Sequence, residues 1–268
     1  MATDPNAWVY GDYAPDPQSQ DLVGLKARWI LDRLPASSAL AVLDYGAGEG
    51  KYLDLVRKAR PRATLVGVDV RPVRTAVDFE FHLVTPDAPL PFADDRFDLV
   101  VSCDVLEHVD SIERSLDEIR RVLRPGGAFI GFVPLEGGFG PHSFFRLIDR
   151  DIYRDTKDHN HAYHRRQMLG WLSSRFRIVD LSYSYHFLGA TLDALFFASF
   201  KLPGIGPRLE SFWRGQENLF YRGDAQVSQP SLIWRVARLA NRLAYWESRA
   251  LHRVPLGAVG LHFHLEKP

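Results

Sequence analysis

Asp44 closes a short apolar run, Leu40–Leu43, and glycines then fall at every second position, Gly46, Gly48 and Gly50, before the helical pattern of 51–59. A strand, a glycine turn and a helix in that order constrain the fold more than any other feature of the chain. Such a turn lets backbone approach a ligand or another segment closely, and the helix start behind it offers free N–H groups and positive potential. The unit also repeats in kind. Apolar strand patterns occur at 64–70, 79–84, 97–103 and 128–133, separated by helical or irregular stretches. The segment "FDLVVSC" is nearly all apolar, as expected of a strand covered on both faces. Strands alternating with helices predict an α/β fold around a doubly wound, mostly parallel sheet. Ligands of such sheets sit beyond the carboxyl ends of the strands. Asp44, Asp69, Cys103 and Pro134 all fall at such ends, so they should converge on one crevice.

Two further strands, 176–185 and 259–268, complete a seven-stranded, Rossmann-like sheet. The connection between them is far longer than the usual few residues and predicts a helical insert at about 187–257. The expected organisation is a single domain over 1–268. It comprises an arm and helix at 1–35, a cofactor-binding core at 36–134, a substrate-side elaboration at 135–257 and a last strand at 258–268. The helix at 112–123 carries Ile112, Leu116, Ile119 and Leu123 on one stripe, with Asp110 and Glu113 as its expected cap.

The glycine spacing selects among ligands. It is G-x-G-x-G, neither the G-x-G-x-x-G of pyrophosphate binders nor a P-loop. An acid at the end of the second strand, Asp69, suits the paired hydroxyls of a ribose. The crevice therefore suits an adenosine-like ligand without a pyrophosphate seat. A tight turn with no ligand is the bland alternative. Lys+Arg and Asp+Glu number 33 each, so no global basic footprint points to nucleic acid. Cys103 is the single cysteine, which excludes an internal disulfide and fits a reducing compartment. With no apolar leader at the N-terminus and no run of about 20 apolar residues, a cytoplasmic protein is expected.

The segments "VLDYGAGEGKYL", "VGVDV", "LPFADDRFDLVVSCDVLEHV" and "RRVLRPGGAFIGFVP" resemble, in order and spacing, the motifs of class I S-adenosylmethionine-dependent methyltransferases. The branch most similar is the small-molecule one that includes ubiquinone-biosynthesis enzymes. The resemblance covers 40–134 and implies S-adenosylmethionine as cofactor. It places Asp44, Gly46, Ala47, Gly48 and Gly50 around the methionine part. It places Asp69 on the ribose hydroxyls with Val70 beside it, Asp87 and Ala88 near the adenine, and Cys103 and Asp104 on the methionine side. Tyr10 and Tyr13 would close over the cofactor, or else pack on the first helix.

Methyl transfer often needs a group to take a proton. "DVLEH" sets Asp104, Glu107 and His108 on one helical face, and "DHNHAYH" supplies His159, His161 and His164. Three readings stand. His108 first, or His161, is a general base. Alternatively, Glu107, His108 and a later histidine hold a divalent metal, as in some RNA and quinone-precursor methyltransferases with a similar E-H element. The third reading is a structural pair beside a solvated loop. We expect no metal.

The stretch 187–200 reads as a buried helix or an apolar pocket wall. In 230–253, Leu232, Val236, Leu239, Leu243 and Trp246 form a stripe, and Arg235, Arg238, Arg242 and Arg249 lie away from it. The preferred reading is a surface helix packed on the core. Contact with anionic lipid, or a basic rim for an anionic substrate, is the alternative. The expected activity is O-methylation of a small molecule: a secondary metabolite, a quinone-like compound, or a glycan or lipid-linked intermediate. An RNA methyltransferase, a cofactor-binding protein without turnover, and a dinucleotide oxidoreductase are the competing readings.

Overall fold

The computed structural model describes residues 15–72, 77–136, 140, 143–144, 147, 159, 161–209 and 232–268. Seven strands form one sheet: β1 (Ala41–Tyr45), β2 (Thr64–Asp69), β3 (Glu80–Leu83), β4 (Phe97–Cys103), β5 (Leu123–Pro134), β6 (Arg177–Ser184) and β7 (Gly260–Glu266). Their order is β3-β2-β1-β4-β5-β7-β6. The pairs β1–β2, β2–β3, β1–β4 and β4–β5 are parallel, whereas β7 runs antiparallel to both β5 and β6. The seven expected strands and the mostly parallel sheet are thus present. The chain winds outward from β1 through β2 and β3, then returns to place β4 on the other side of β1. That reversal opens a crevice at the carboxyl ends of β1 and β4.

Strand alternation divides the core into two layers. Leu43, Val66, Val100 and Phe129 face one side, where α3 (Ile112–Val122) and α4 (Arg165–Ser173) bring Leu116, Ile119, Met168 and Leu172. Val42, Leu65, Leu99 and Ile130 face the other, under Ile30 of α1 (Leu22–Leu31) and Leu53 and Val56 of α2 (Lys51–Ala59). Asp21 caps α1 by accepting from the Gly24 N–H at 2.8 Å. The cap of α3 is Ser111, which accepts from the Arg114 N–H, and not the expected Asp110. A serine at that position is a preferred cap because its short hydroxyl reaches the orphan N–H groups of the first turn. Helix α4 has no counterpart in the sequence reading. Its charged start hides the i, i+4 pair Met168 and Leu172 that buries it.

Helices α5 (Phe187–Ser199) and α6 (Leu232–Ala250) lie between β6 and β7. Both correct an expectation. In α5 the buried residues include Ala190 and Ala194, while Phe187, Leu188 and Leu195 are exposed. In α6 the buried face is Ala244, Tyr245 and Ser248, and the apolar stripe of Val236, Leu239, Leu243 and Trp246 faces outward. The reason is close helix approach. A Cβ added to Gly189 would stand 3.2 Å from the Ala244 Cβ, so small side chains occupy the contact and large ones are displaced from it. Glu247 fixes the pair by accepting from the Leu188 and Gly189 N–H groups at 2.8 and 2.9 Å. Among the described residues no helix is long and apolar enough to cross a membrane.

Candidate active site

The glycine loop is folded against β2 by its own backbone. The N–H groups of Gly46 and Ala47 both donate to the Val68 carbonyl at 2.9 Å. The Gly48 N–H donates to Asp69 Oδ2 at 2.9 Å, and Asp69 Oδ1 accepts from the Arg71 N–H at 3.0 Å. Gly46, Gly48 and Gly50 have φ of 82°, 49° and 76°, a region that disfavours side chains. Part of what the glycines approach is the protein itself. A Cβ on Gly46 would lie 2.3 Å from a Val105 methyl, and one on Gly50 would lie 2.3 Å from the Phe79 ring. Gly46→Ala is therefore expected to destabilise the fold by about 1–3 kcal/mol through strain and overpacking, read as a lower urea midpoint at unchanged slope. An unchanged midpoint would show the loop to be adaptable.

Asp44, the penultimate residue of β1, is fully buried, and its Oδ2 accepts no hydrogen bond. Burial, helped by the nearby Asp69 charge, pushes its carboxyl up to about 8. A buried acceptor without a donor suits a cationic N–H donor brought in by a ligand. No side chain caps α2, whose N-terminus begins at Gly50. Across the crevice the Cys103 thiol is buried and pushed well up by burial. Asp104, at φ 57°, pairs with Lys26 of α1. That lysine is nearly buried, with its ammonium 4.0 Å from the Phe132 ring centroid. Lys26 was missed in the sequence because it reads as an ordinary surface cation. The available signal was its position four residues before Ile30, inside the apolar stripe of α1. Asp87, at φ 56°, is half-buried and close enough for its charge to help push the half-buried Tyr45 phenol up; desolvation of the phenol is the main cause. Ala88 and Val70 are exposed beside the crevice. Tyr10 and Tyr13 lie outside the described residues.

Three residues past Asp104 the second cluster begins. Glu107 is fully buried and neither carboxylate oxygen accepts a hydrogen bond. Burial pushes its carboxyl up to about 8 despite His159 beside it. The Nε2 atoms of His108 and His159 lie 3.9 and 4.0 Å from Glu107 Oε1. His159 is oriented from behind by Glu136, whose Oε2 is 2.9 Å from Nδ1. His161 sits beside this cluster: its N–H donates to the Glu107 carbonyl at 3.2 Å and its ring stacks on Tyr163. The histidine that completes the cluster is thus His159. The sequence grouped it with His161 but carried no signal for which ring turns inward. One donor atom each from Glu107, His108 and His159 lie within 4.8 Å of one another. A divalent ion with bonds of about 2.0–2.2 Å wants such donors about 3.4 Å apart, so a small closure would let this set hold one. Two imidazoles and a carboxylate suit zinc or a similar transition metal.

Residues 43–131 match the model of a methyltransferase domain. The match covers about a third of the chain, and over those residues the chain is similar to a methyltransferase domain. A malonyl-[acyl-carrier protein] O-methyltransferase of Pseudescherichia vulneris is 33% identical over 141 residues, 51% of this chain and 53% of that one. A demethylmenaquinone methyltransferase of Thermus thermophilus is 29% identical over 132 residues, 44% of this chain and 60% of that one. The chain spans about half the length of the first curated relatives it matches, 53% and 57%. In solved structures the methyltransferase fold recurs over nearly the whole chain. A putative sarcosine dimethylglycine methyltransferase of Galdieria sulphuraria matches with a TM-score of 0.54 at 15% identity, covering 98% of this chain and 96% of that one. A geranyl diphosphate methyltransferase in complex with GPP and sinefungin matches with a TM-score of 0.55 at 13% identity, over 92% of this chain and 79% of that one.

Proposed function

We propose that the chain transfers a methyl group from S-adenosylmethionine to an oxygen of a small-molecule acceptor. The observation that carries this reading is a pair of buried carboxylates with unsatisfied oxygens, placed at the carboxyl ends of the neighbouring parallel strands β1 and β4. Asp44 lies in the glycine cradle and Glu107 in the histidine cluster. The cradle fits the cofactor: a buried orphan acceptor for its ammonium, an acid at the end of β2 for its ribose, and an uncapped helix start. When bound, S-adenosylmethionine supplies an electrophilic methyl group on a sulfonium. The protein's own residues then have three tasks: to orient the acceptor, to exclude water, and to receive the acceptor's proton. His108 is the first candidate for the last task, because it follows β4 and its ring borders His159 at 5.1 Å. His161 is the second candidate; its backbone, hydrogen-bonded to Glu107, holds the segment over the cluster. Asp69 has oxygen lone pairs beyond those used by Gly48 and Arg71 and would accept from ribose hydroxyls.

An oxygen acceptor agrees with the named activity of the malonyl-[acyl-carrier protein] relative. The aromatic and apolar C-terminal half favours an apolar or lipid-linked acceptor. The balanced charge weighs against RNA. A second reading, supported by the unsatisfied Glu107 oxygens, puts a divalent metal in the cluster, where it would polarise the acceptor oxygen. Removal of activity by a chelator and its return with zinc would select that reading.

Two measurements test the proposal. Radiolabelled S-adenosylmethionine incubated with acceptor pools should yield labelled small molecules, and absence of label with bound cofactor would favour a binding protein without turnover. Asp69→Ala should weaken cofactor affinity roughly 10- to 150-fold, the loss of a charge-assisted hydrogen-bond pair worth about 1.5–3 kcal/mol. Unchanged calorimetric affinity in a folded variant would remove Asp69 from the site.

A further inference from the structure

The outward stripe of α6 has no role in the site described above. Val236, Leu239, Leu243 and Trp246 are 60, 58, 48 and 54% exposed. Side chains of this size normally face the core of an amphipathic helix. At about 100° per residue, Arg235, Arg242 and Arg249 line one flank of that stripe, and all three are exposed. Residues 232–256 hold five arginines against one acid, in a chain whose net charge is zero; one of the five, Arg253, pairs with Asp180 of β6. The acid, Glu247, is occupied by the N-terminus of α5. Further exposed apolar side chains adjoin α6 on its packed neighbour α5, among them Phe187, Leu188 and Leu195. Leu256, 64% exposed, sits next to Gly257, which lies against the Phe187 ring.

We infer that α6 docks on the surface of a membrane containing anionic lipid. An exposed helix with tryptophan and aliphatic residues on one face and arginines beside them matches the physics of interfacial binding. The apolar side chains enter the boundary between headgroups and acyl chains, and the guanidinium groups stay with lipid phosphates. Charge complementarity distinguishes this occupant from a second copy of the chain. A two-fold contact through the stripe would set the arginine row beside itself or its symmetry mate, with no acid on α6 free to answer it. The extended spread of exposed apolar groups over α5 and α6 suits a fluid surface. This inference does not depend on the methyl-transfer reading.

Vesicle flotation of the full chain tests it, with vesicles of phosphatidylcholine alone and of phosphatidylcholine with one third phosphatidylglycerol. The protein should float with the anionic vesicles, only weakly with the neutral ones, and less at high salt. Each arginine near an anionic surface is worth about a fivefold change in partition, so Arg235→Gln with Arg242→Gln should lower it about 25-fold. Leu239→Glu with Leu243→Glu should abolish flotation, and melting temperature records that these exposed changes leave the fold intact. Cofactor affinity, measured in parallel, should not change. No flotation with either vesicle overturns the inference. So does flotation that both double variants retain. A dimer in size-exclusion chromatography that Leu239→Glu with Leu243→Glu dissociates, without flotation of the wild type, assigns the stripe to a second copy and overturns it equally.

Discussion

Asp44→Asn is expected to stabilise the ligand-free protein at pH 8 while weakening its hold on S-adenosylmethionine. The folded protein keeps the Asp44 carboxyl protonated to about pH 8, because the group is buried beside Asp69 and accepts no hydrogen bond on Oδ2. In the unfolded chain an aspartate loses its proton near pH 4. Between those limits the folded state binds the extra proton, so stability falls as pH rises from about 4 to about 8 and is flat above. Asparagine does not titrate and removes this share of the slope. A tenfold difference in proton affinity between the folded and unfolded states corresponds to about 1.4 kcal/mol. Even part of the difference, about 2 kcal/mol, raises the melting temperature at pH 8 by roughly 4–8 °C for a chain of this size. Glu107, raised by burial in the same way, keeps a residual slope in the variant. The functional cost is an amide where the cradle needs an anionic acceptor, with affinity at least about tenfold weaker. Melting curves from pH 5 to 9 and calorimetry at pH 8 check both halves. Parallel melting curves for wild type and variant would show that Asp44 folds without a penalty.

The second large effect is at the histidine cluster. His108→Ala should lower kcat at least a hundredfold with cofactor affinity intact, since a positioned general base contributes roughly 10²–10⁴-fold. Glu107→Gln separates the two readings of the cluster. With its carboxyl raised to about 8, Glu107 is largely protonated at neutral pH, and glutamine mimics that neutral form. Acid–base chemistry by His108 therefore predicts a kcat within about threefold for Glu107→Gln and no response to chelator. A metal centre predicts the opposite, because a neutral amide is a poor substitute for an anionic ligand. A His108→Ala variant with near wild-type kcat would leave the cluster a structural role and the reaction to alignment and desolvation alone.

The sheet was legible because strand signals are local. Apolar runs ending in Asp44, Asp69 and Cys103 mark both the strands and the edge at which the crevice opens. The glycine spacing was legible as a close approach, though not that Val105 and Phe79 share in it, since that depends on contacts distant in sequence. Lys26 was hidden for the same reason: its partner Asp104 is 78 positions away. His159 and His161 differ by two residues and no pattern separates them; the Glu136 contact holds the first against the cluster. For α6 the stripe itself was read correctly and its direction was not. Periodicity reports that one face is apolar, while the close packing of Gly189 on Ala244 decides which face is buried.

The central claim is that the crevice at the ends of β1, β2 and β4 binds S-adenosylmethionine, and direct titration of the purified chain tests it most simply. Calorimetry with S-adenosylmethionine should give one site per chain, weakened by Asp69→Ala and by Asp44→Asn, with no heat from NAD under the same conditions. A folded wild-type chain that binds NAD, or that binds S-adenosylmethionine with an affinity neither substitution changes, would contradict it.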